Sequence, residues 1–271
     1  MNSFKHVDDY PEIPVSMAST RTMIKTGAWR SVRPIITKRS APCSAACPAG
    51  IGMPAYLTAI KEGRLEEAFT ALTARNPFPR ITGRVCPHFC EHACNLEEKT
   101  GQDPVSIRSI ERWLGDETAY LPHPVPYAET GKNMAVVGSG PAGLAAAFYL
   151  RRSGHQVTVF DRRERPGGIL RYGIPDYRLP TPIVEAELHR LEAMGIEFRN
   201  RITFGTDLTL EDLEDTYAAV FVATGAGRER AVGVEDENLL ESGLAFLDAA
   251  SRNEAILPGD RCAVIGLSLI H

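Results

Sequence analysis

No tract of this chain is long and apolar enough to span a bilayer, and the opening stretch, MNSFKHVDDYPEIPVS, lacks the apolar core of a secretory signal. A soluble protein in a reducing, cytoplasmic compartment is therefore the expectation. Charge of one sign is lacking too: a net charge of −4 leaves no basic excess for nucleic acid. There is no internal repeat, which removes solenoids and propellers. Cysteine is almost missing from the C-terminal two-thirds, where Cys262 stands alone after Cys94 and reads as a buried strand residue. What remains is ordinary globular material, 271 residues at 44% hydrophobic and 24% charged, enough for one large or two medium domains.

The most informative stretch is Met134 to Gly168, MAVVGSGPAGLAAAFYLRRSGHQVTVFDRRERPGG. A short apolar run, Met134 to Val137, predicts a buried parallel strand. Gly138, Gly140 and Gly143 follow, and an alanine-rich helix runs on to Gly154. Gly138 permits the sharp turn, Gly140 lets the backbone approach a pyrophosphate, and Gly143 lets helix and strand pack closely. The phosphates would meet unpaired N–H groups at the positive end of the helix, where Pro141 sacrifices no hydrogen bond. A second strand, Gln156 to Phe160, ends in Asp161, about 20 residues on, where an acid takes ribose hydroxyls. The strand, the helix and the acid together predict a dinucleotide fold and leave FAD and NAD both open. A flavin-dependent disulfide reductase would carry its redox cysteines just after this fingerprint, and none is there.

The other five cysteines crowd the N-terminal third: Cys43, Cys47, Cys86, Cys90 and Cys94. In a reducing compartment such a group suggests metal rather than disulfides. Spacings of four place Cys43 with Cys47, and Cys86 with Cys90 and Cys94, on one helical face or one side of a tight loop. Soft thiolates suit an iron–sulfur cluster or zinc, and the interleaved His88 and His92 keep zinc in play. Helices are expected over about Met53 to Glu62, Leu65 to Arg75 and Val105 to Gly115. Glu111, on the last of these, reads equally as a ligand or as a solvated residue paired with Arg108 or Arg112.

The order CPAG, NPFP, GRVCPxxCExxC and then Pro-Val-Ser-Ile resembles the N-terminal iron–sulfur domain of the glutamate synthase small-subunit family. The later Arg165-Pro166-Gly167-Gly168, the Leu170 to Pro180 stretch LRYGIPDYRLP and Val222-Ala223-Thr224-Gly225-Ala226 resemble that family's flavin domain and the matching domain of dihydropyrimidine dehydrogenase. The resemblance implies an all-α iron–sulfur domain, then an α/β Rossmann-like FAD domain, then the start of a nicotinamide domain. It implies one [4Fe–4S] cluster on Cys47, Cys86 and Cys90, with Glu111 matching the carboxylate fourth ligand. Cys43 and Cys94 match two ligands of a second cluster, but the Cys-x-x-Cys pair expected before Cys43 is replaced by ITKRSAP. One cluster is thus expected, with Cys94 or Glu111 completing it.

For the flavin, the resemblance implies contacts from Gly138, Gly140, Pro141, Ala142, Gly143 and Asp161. Further contacts would come from Gly168, Ile169 and Arg171, from the Ile202 backbone at the adenine, and from Thr224 and Gly225. The function implied is electron transfer from NAD(P)H through FAD and the cluster to or from a partner subunit, with no side chain acting as acid or base.

The expected organisation is an arm over 1–40, whose Trp29, Arg30 and Arg33 dock it on the body, then a cluster domain over 41–120. A proline-rich linker over 121–131 leads to a partial FAD domain over 132–257, with a helix from about Pro182 to Met194, strands near Glu197 to Ile202 and Ala219 to Ala223, a capped acidic helix within Thr206 to Tyr217, and another helix over Ala245 to Ser251. A nicotinamide domain opens over 258–266. The last five residues, LSLIH, can be written CTG-TCT-CTT-ATA-CAC, the start of a transposon end used in sequencing libraries; 267–271 are expected to be adaptor-encoded, the gene having been cut there. Sequencing the locus through this junction checks it, and a native gene ending in these codons would refute it.

Overall fold

The structure, a computed structural model, describes residues 40–124, 127–226, 233, 239–254 and 261–265. The expected docking residues Trp29, Arg30 and Arg33 and the tail at 267–271 lie outside them. The chain divides after Ala41, and all the elements below belong to the unit Pro42–His271.

Among the described residues seven helices precede the first strand: α1 (Pro42–Ala46), α2 (Met53–Lys61), α3 (Leu65–Thr73), α4 (Pro79–Val85), α5 (Phe89–His92), α6 (Leu96–Thr100) and α7 (Ile107–Glu117). Proline in the first turn starts α2 and α4, where its missing N–H has no partner to lose. On α7 the buried side chains Ile107, Glu111 and Leu114 recur at helical spacing and form one inward face. Their core is Ile51, Met53, Tyr56, Ala59, Ala68, Leu72, Cys90, Ile107 and Leu114, with Cys43 and Cys47 packed against it. Three of the expected helices are present; α1, α4, α5 and α6 are short segments whose periodicity is too brief to read in advance.

The second half alternates strand and helix: β1 (Asn133–Val137), α8 (Pro141–Arg152), β2 (Gln156–Asp161), α9 (Ile169–Tyr172), α10 (Thr181–Ala193), β3 (Ile196–Asn200), α11 (Leu210–Thr216) and β4 (Ala219–Val222), followed by α12 (Gly243–Ser251). The sheet order is β3-β2-β1-β4, all parallel. Val136 on β1 pairs with Val159 on β2 and Phe221 on β4, so β1 is central and its C-terminal end opens at the glycine turn. The inward face of α11 is set by a capping box: the Thr209 hydroxyl accepts from Asp212 N, and Asp212 Oδ2 accepts from Thr209 N at 2.9 Å.

The helical part and the sheet are not separate bodies. Phe78 and Ile81 of the α4 region pack in one core with Val136, Phe148, Leu188 and Leu191. A polar seam runs beside it. Glu187 on α10 is buried and meets Arg190 at 3.2 Å, Arg80 of α4 at 3.7 Å and His123 of the linker at 3.8 Å. Arg190 also donates to the Leu121 carbonyl at 2.9 Å and lies over the Phe69 ring. His123 is packed among Phe69, Phe78 and Phe148, with neither ring nitrogen hydrogen-bonded. Burial, aided by the Arg190 charge, lowers its pKa to about 3, so it is neutral.

Cys262 corrects an expectation. It is exposed, in a segment without strand pairing, beside exposed Val264 and Ile265. Its apolar neighbours have nothing among the described residues to pack on, so the local pattern alone produces no strand.

Candidate cofactor sites

The first site lies where β1 meets α8. Gly138 has φ +102, and a Cβ there would overlap the Ala223 carbonyl after β4; a Cβ on Gly143 would overlap the Gly138 carbonyl. These close approaches bring β1, β4 and the start of α8 within backbone contact. Gly140 is the opposite case: it caps α8 with no side-chain hydrogen bond, and its Cβ position faces open space. Pro141, Ala142 and Gly143 form the first helical turn beneath it. The loop carrying Gly167 and Gly168 closes one wall, where a Cβ on Gly168 would lie 2.7 Å from Gly140 Cα.

Ser139, which the sequence did not single out, ties this cradle together. It is fully buried; its N–H donates to Asp161 Oδ2 at 2.7 Å, its hydroxyl donates to the same oxygen, and its carbonyl and hydroxyl oxygens accept from Gly167 N at 3.1 Å. Asp161 Oδ1 accepts from Arg163 N at 2.8 Å. The acid at the end of β2 therefore organises the loop, with both oxygens engaged by protein donors. A small polar residue between two fingerprint glycines, facing the strand-end acid, was the available signal.

The remaining expected flavin residues surround the cradle. Arg171 is buried, donating to the Pro166 carbonyl at 2.9 Å and to Glu185 at 3.1 Å, so it braces the loop that bears Gly168. Ile169 is half-exposed at the start of α9. Ile202 donates its N–H to the Asp161 carbonyl at 3.0 Å and packs on the far face of the sheet. Thr224 and Gly225 are exposed just past β4, on the same edge as Gly138.

The second site is the interior of the helical part. Cys90, at the start of α5, is buried; Cys43, Cys47, Cys86 and Cys94 are partly buried, and all five are free thiols. Burial, with the nearby Glu111, Glu91 and Cys86, raises the Cys90 thiol to about 11. Glu111 is buried in the same core. Tyr56 donates its hydroxyl to Oε1 at 3.1 Å, and the Asn76 amide faces Oε2 at 3.5 Å. Burial outweighs these two hydrogen bonds and lifts the Glu111 carboxyl to about 7, with Glu91 adding to the rise. The solvated reading of Glu111 is overturned: neither Arg108 nor Arg112 pairs with it among the described contacts, and Arg112 instead approaches Asp116 at 3.8 Å.

Cys43, Cys90 and Glu111 all bear on the Tyr56 hydroxyl, whose pKa burial and these neighbours raise. Three segments far apart in sequence thus deliver thiols and one carboxylate to a single apolar basin. Among the described residues no three His, Cys, Asp or Glu side chains converge at the separation of a single metal ion. A four-iron cluster sets its thiolates wider apart than one ion does, and a region bearing five thiols and a carboxylate suits it by donor chemistry. The deep core offers Cys90 and Glu111; the rim offers Cys43, Cys47, Cys86 and Cys94.

Comparison with known proteins gives each part of the chain a family match. Residues 15–121 match the family described as dihydropyrimidine dehydrogenase domain II, 4Fe-4S cluster, and residues 132–270 match the pyridine nucleotide-disulphide oxidoreductase family. The NADPH-Fe(3+) oxidoreductase subunit beta of Geobacter sulfurreducens is 36% identical over 246 residues, covering 87% of this chain and 36% of that protein. The glutamate synthase [NADPH] small chains of Bacillus subtilis and Mycobacterium tuberculosis are 39% and 41% identical over 213 and 216 residues, covering 76% and 78% of this chain and 43% and 44% of theirs. The chain spans less than half the length of these relatives. No helix among the described residues is long and apolar enough to cross a membrane.

Proposed function

Because the chain belongs to the pyridine nucleotide-disulphide oxidoreductase family and carries a 4Fe-4S segment of the dihydropyrimidine dehydrogenase type ahead of it, we propose that it forms the FAD- and cluster-holding part of an electron-transfer subunit. Its electrons come from NAD(P)H, pass through FAD to one [4Fe–4S] cluster, and leave for a partner protein in a reducing, cytoplasmic compartment. The relatives being named as beta subunits and small chains supports a partner; the sheet and cradle support the flavin.

The observation that carries the reading is the shared core. Helix α4, which ends at Cys86, packs through Phe78 and Ile81 onto the α8 and α10 side of the nucleotide fold. The two sites are therefore held in one body by buried apolar surface. Gly140 and the first turn of α8 would receive the pyrophosphate, Ser139 and Asp161 fix the loop beside it, and Arg171 braces the loop that bears Gly168. Cys47, Cys86 and Cys90 would hold the cluster, with Glu111 as the fourth ligand; Tyr56 and Asn76 orient its carboxylate. Cys94 is the competing fourth ligand. When bound, flavin accepts an electron pair and releases electrons singly, and the cluster accepts them singly. No side chain needs to move a proton for this.

The test is light-driven reduction of the flavin in anaerobically reconstituted chain, followed by low-temperature electron paramagnetic resonance. The signal of a reduced cluster growing in as the flavin is photoreduced is expected. Flavin bleaching while the cluster stays oxidised would contradict the reading.

A further inference from the structure

The turn between Cys86 and Cys90 holds a residue with positive φ, His88. His88 has φ 51 and ψ 51, a left-handed conformation that glycine adopts freely, that few other residues adopt, and that histidine takes more readily than alanine does. In that conformation its backbone N–H donates to Cys86 Sγ at 3.3 Å. Its ring Nδ1 donates to the Cys86 carbonyl at 3.1 Å, clamping the ring over the same residue. Nε2 faces Glu91 at 3.6 Å, and the other Glu91 oxygen accepts from Arg108 N at 2.8 Å, on the first residues of the helix that carries Glu111. A continuous set of contacts thus runs from the Cys86 sulfur through His88 and Glu91 to the Glu111 helix.

We propose that His88 is a positioning residue for Cys86: its left-handed turn, held by the ring, keeps one N–H on the ligand sulfur and thereby raises the reduction potential of the cluster. This rests on the cluster reading above. The physical reason is that one-electron reduction adds negative charge to iron and sulfur with no proton taken up, and a donor aimed at a ligand sulfur stabilises the more negative state more. The side chain matters because an ordinary residue at this φ reverts toward negative φ unless something holds it, and the N–H then leaves the sulfur.

The experiment uses the full chain, reconstituted anaerobically, as wild type, H88A and H88N, with iron and flavin content measured beside an EPR-monitored redox titration. Asparagine tolerates the left-handed region and keeps a side-chain donor, whereas alanine does neither. The midpoint potential of H88A is expected to shift downward while H88N stays near wild type, both retaining flavin. Loss of iron from H88A but not from H88N also supports positioning of Cys86. Equal potentials in wild type and H88A, or equal shifts in H88A and H88N, would overturn the inference while leaving the cluster reading standing. Wild type that takes up no iron overturns the cluster reading and this inference with it.

Discussion

The two cofactor sites are built by opposite means. The nucleotide cradle is a backbone construction: glycines at Gly138 and Gly143 bring main chain onto main chain, and the one buried acid, Asp161, has donors on both oxygens. The cysteine basin is a side-chain construction, with a thiol raised to about 11 and a carboxyl raised to about 7 sharing an apolar core. The first is complete without its cofactor. The second holds a thiol that stays protonated at neutral pH and a carboxyl that is only partly ionised there, both of which a bound cation would favour in their charged forms. The difference says that damage to the cradle should cost fold and flavin together, whereas damage to the basin should cost iron and leave the fold.

The harshest way to break this contrast is Gly143→Val. Its branched side chain would enter the Gly138 carbonyl, and overpacking against backbone costs more than the roughly 1–3 kcal/mol typical of cores. Loss of bound flavin and a large drop in unfolding midpoint, measured by absorbance and by denaturant titration, are the expected outcomes. Next comes Cys90→Ser, the deepest basin ligand. Iron analysis should fall from about four per chain to near zero while flavin content and the far-ultraviolet dichroism hold. If C90S loses flavin as completely as iron, the two sites are one cooperative unit and the contrast fails.

The seam joining the sites gives a middle-sized effect. Glu187→Ala leaves Arg80 and Arg190 facing each other without their shared carboxylate, and removing one partner of a buried pair costs about 3–5 kcal/mol; because both arginines keep some solvent, the lower end applies. Urea unfolding checks it. A stability within about 0.5 kcal/mol of wild type would show that Glu187 holds nothing in place.

At neutral pH the smallest effect belongs to His123, which faces Glu187 and Arg190 with an unbonded ring. Its pKa is depressed from 6.5 in the unfolded chain to about 3 in the fold. The unfolded state therefore binds the proton first, so stability from this group is full above about pH 6.5 and declines as pH falls toward about 3, by up to about 1.4 kcal/mol per pH unit. Burial also raises the Glu187 pKa, so the fold takes up that proton before the unfolded chain does and opposes part of this decline above about pH 4.5. His123→Leu is expected to match or slightly exceed wild-type stability at pH 8, since an unbonded polar ring is replaced by an apolar group, and to flatten the slope between pH 6.5 and 4.5. A slope unchanged by H123L would place the acid sensitivity elsewhere.

The same division explains what could be read from the amino acids alone. Backbone-built features announce themselves locally: glycine spacing, Pro141 at a helix start and the Thr209 to Asp212 cap each need only a few neighbouring residues. The cysteines were legible as a group for the same reason. The state of Glu111 was not, because its burial depends on Tyr56, 55 positions earlier, and Asn76, 35 earlier. His88 was legible as a metal-type residue, but its left-handed turn depends on contacts of its own ring. Ser139 carries only a weak local signal, its place between two fingerprint glycines, because its role as a hub depends on Asp161, 22 positions later. Cys262 differs in the other direction: an apolar run promises a strand, and among the described residues no strand pairs with it.

Everything here depends on both sites holding their cofactors in one chain. The most direct measurement is the flavin, iron and acid-labile sulfide content of anaerobically purified and reconstituted 271-residue protein, read with its visible spectrum. About one flavin, four irons and four sulfides per chain, with a flavin band over a broad iron–sulfur absorbance, is the expected result. Protein that stays colourless after reconstitution, or that takes up zinc in place of iron and sulfide, would contradict it.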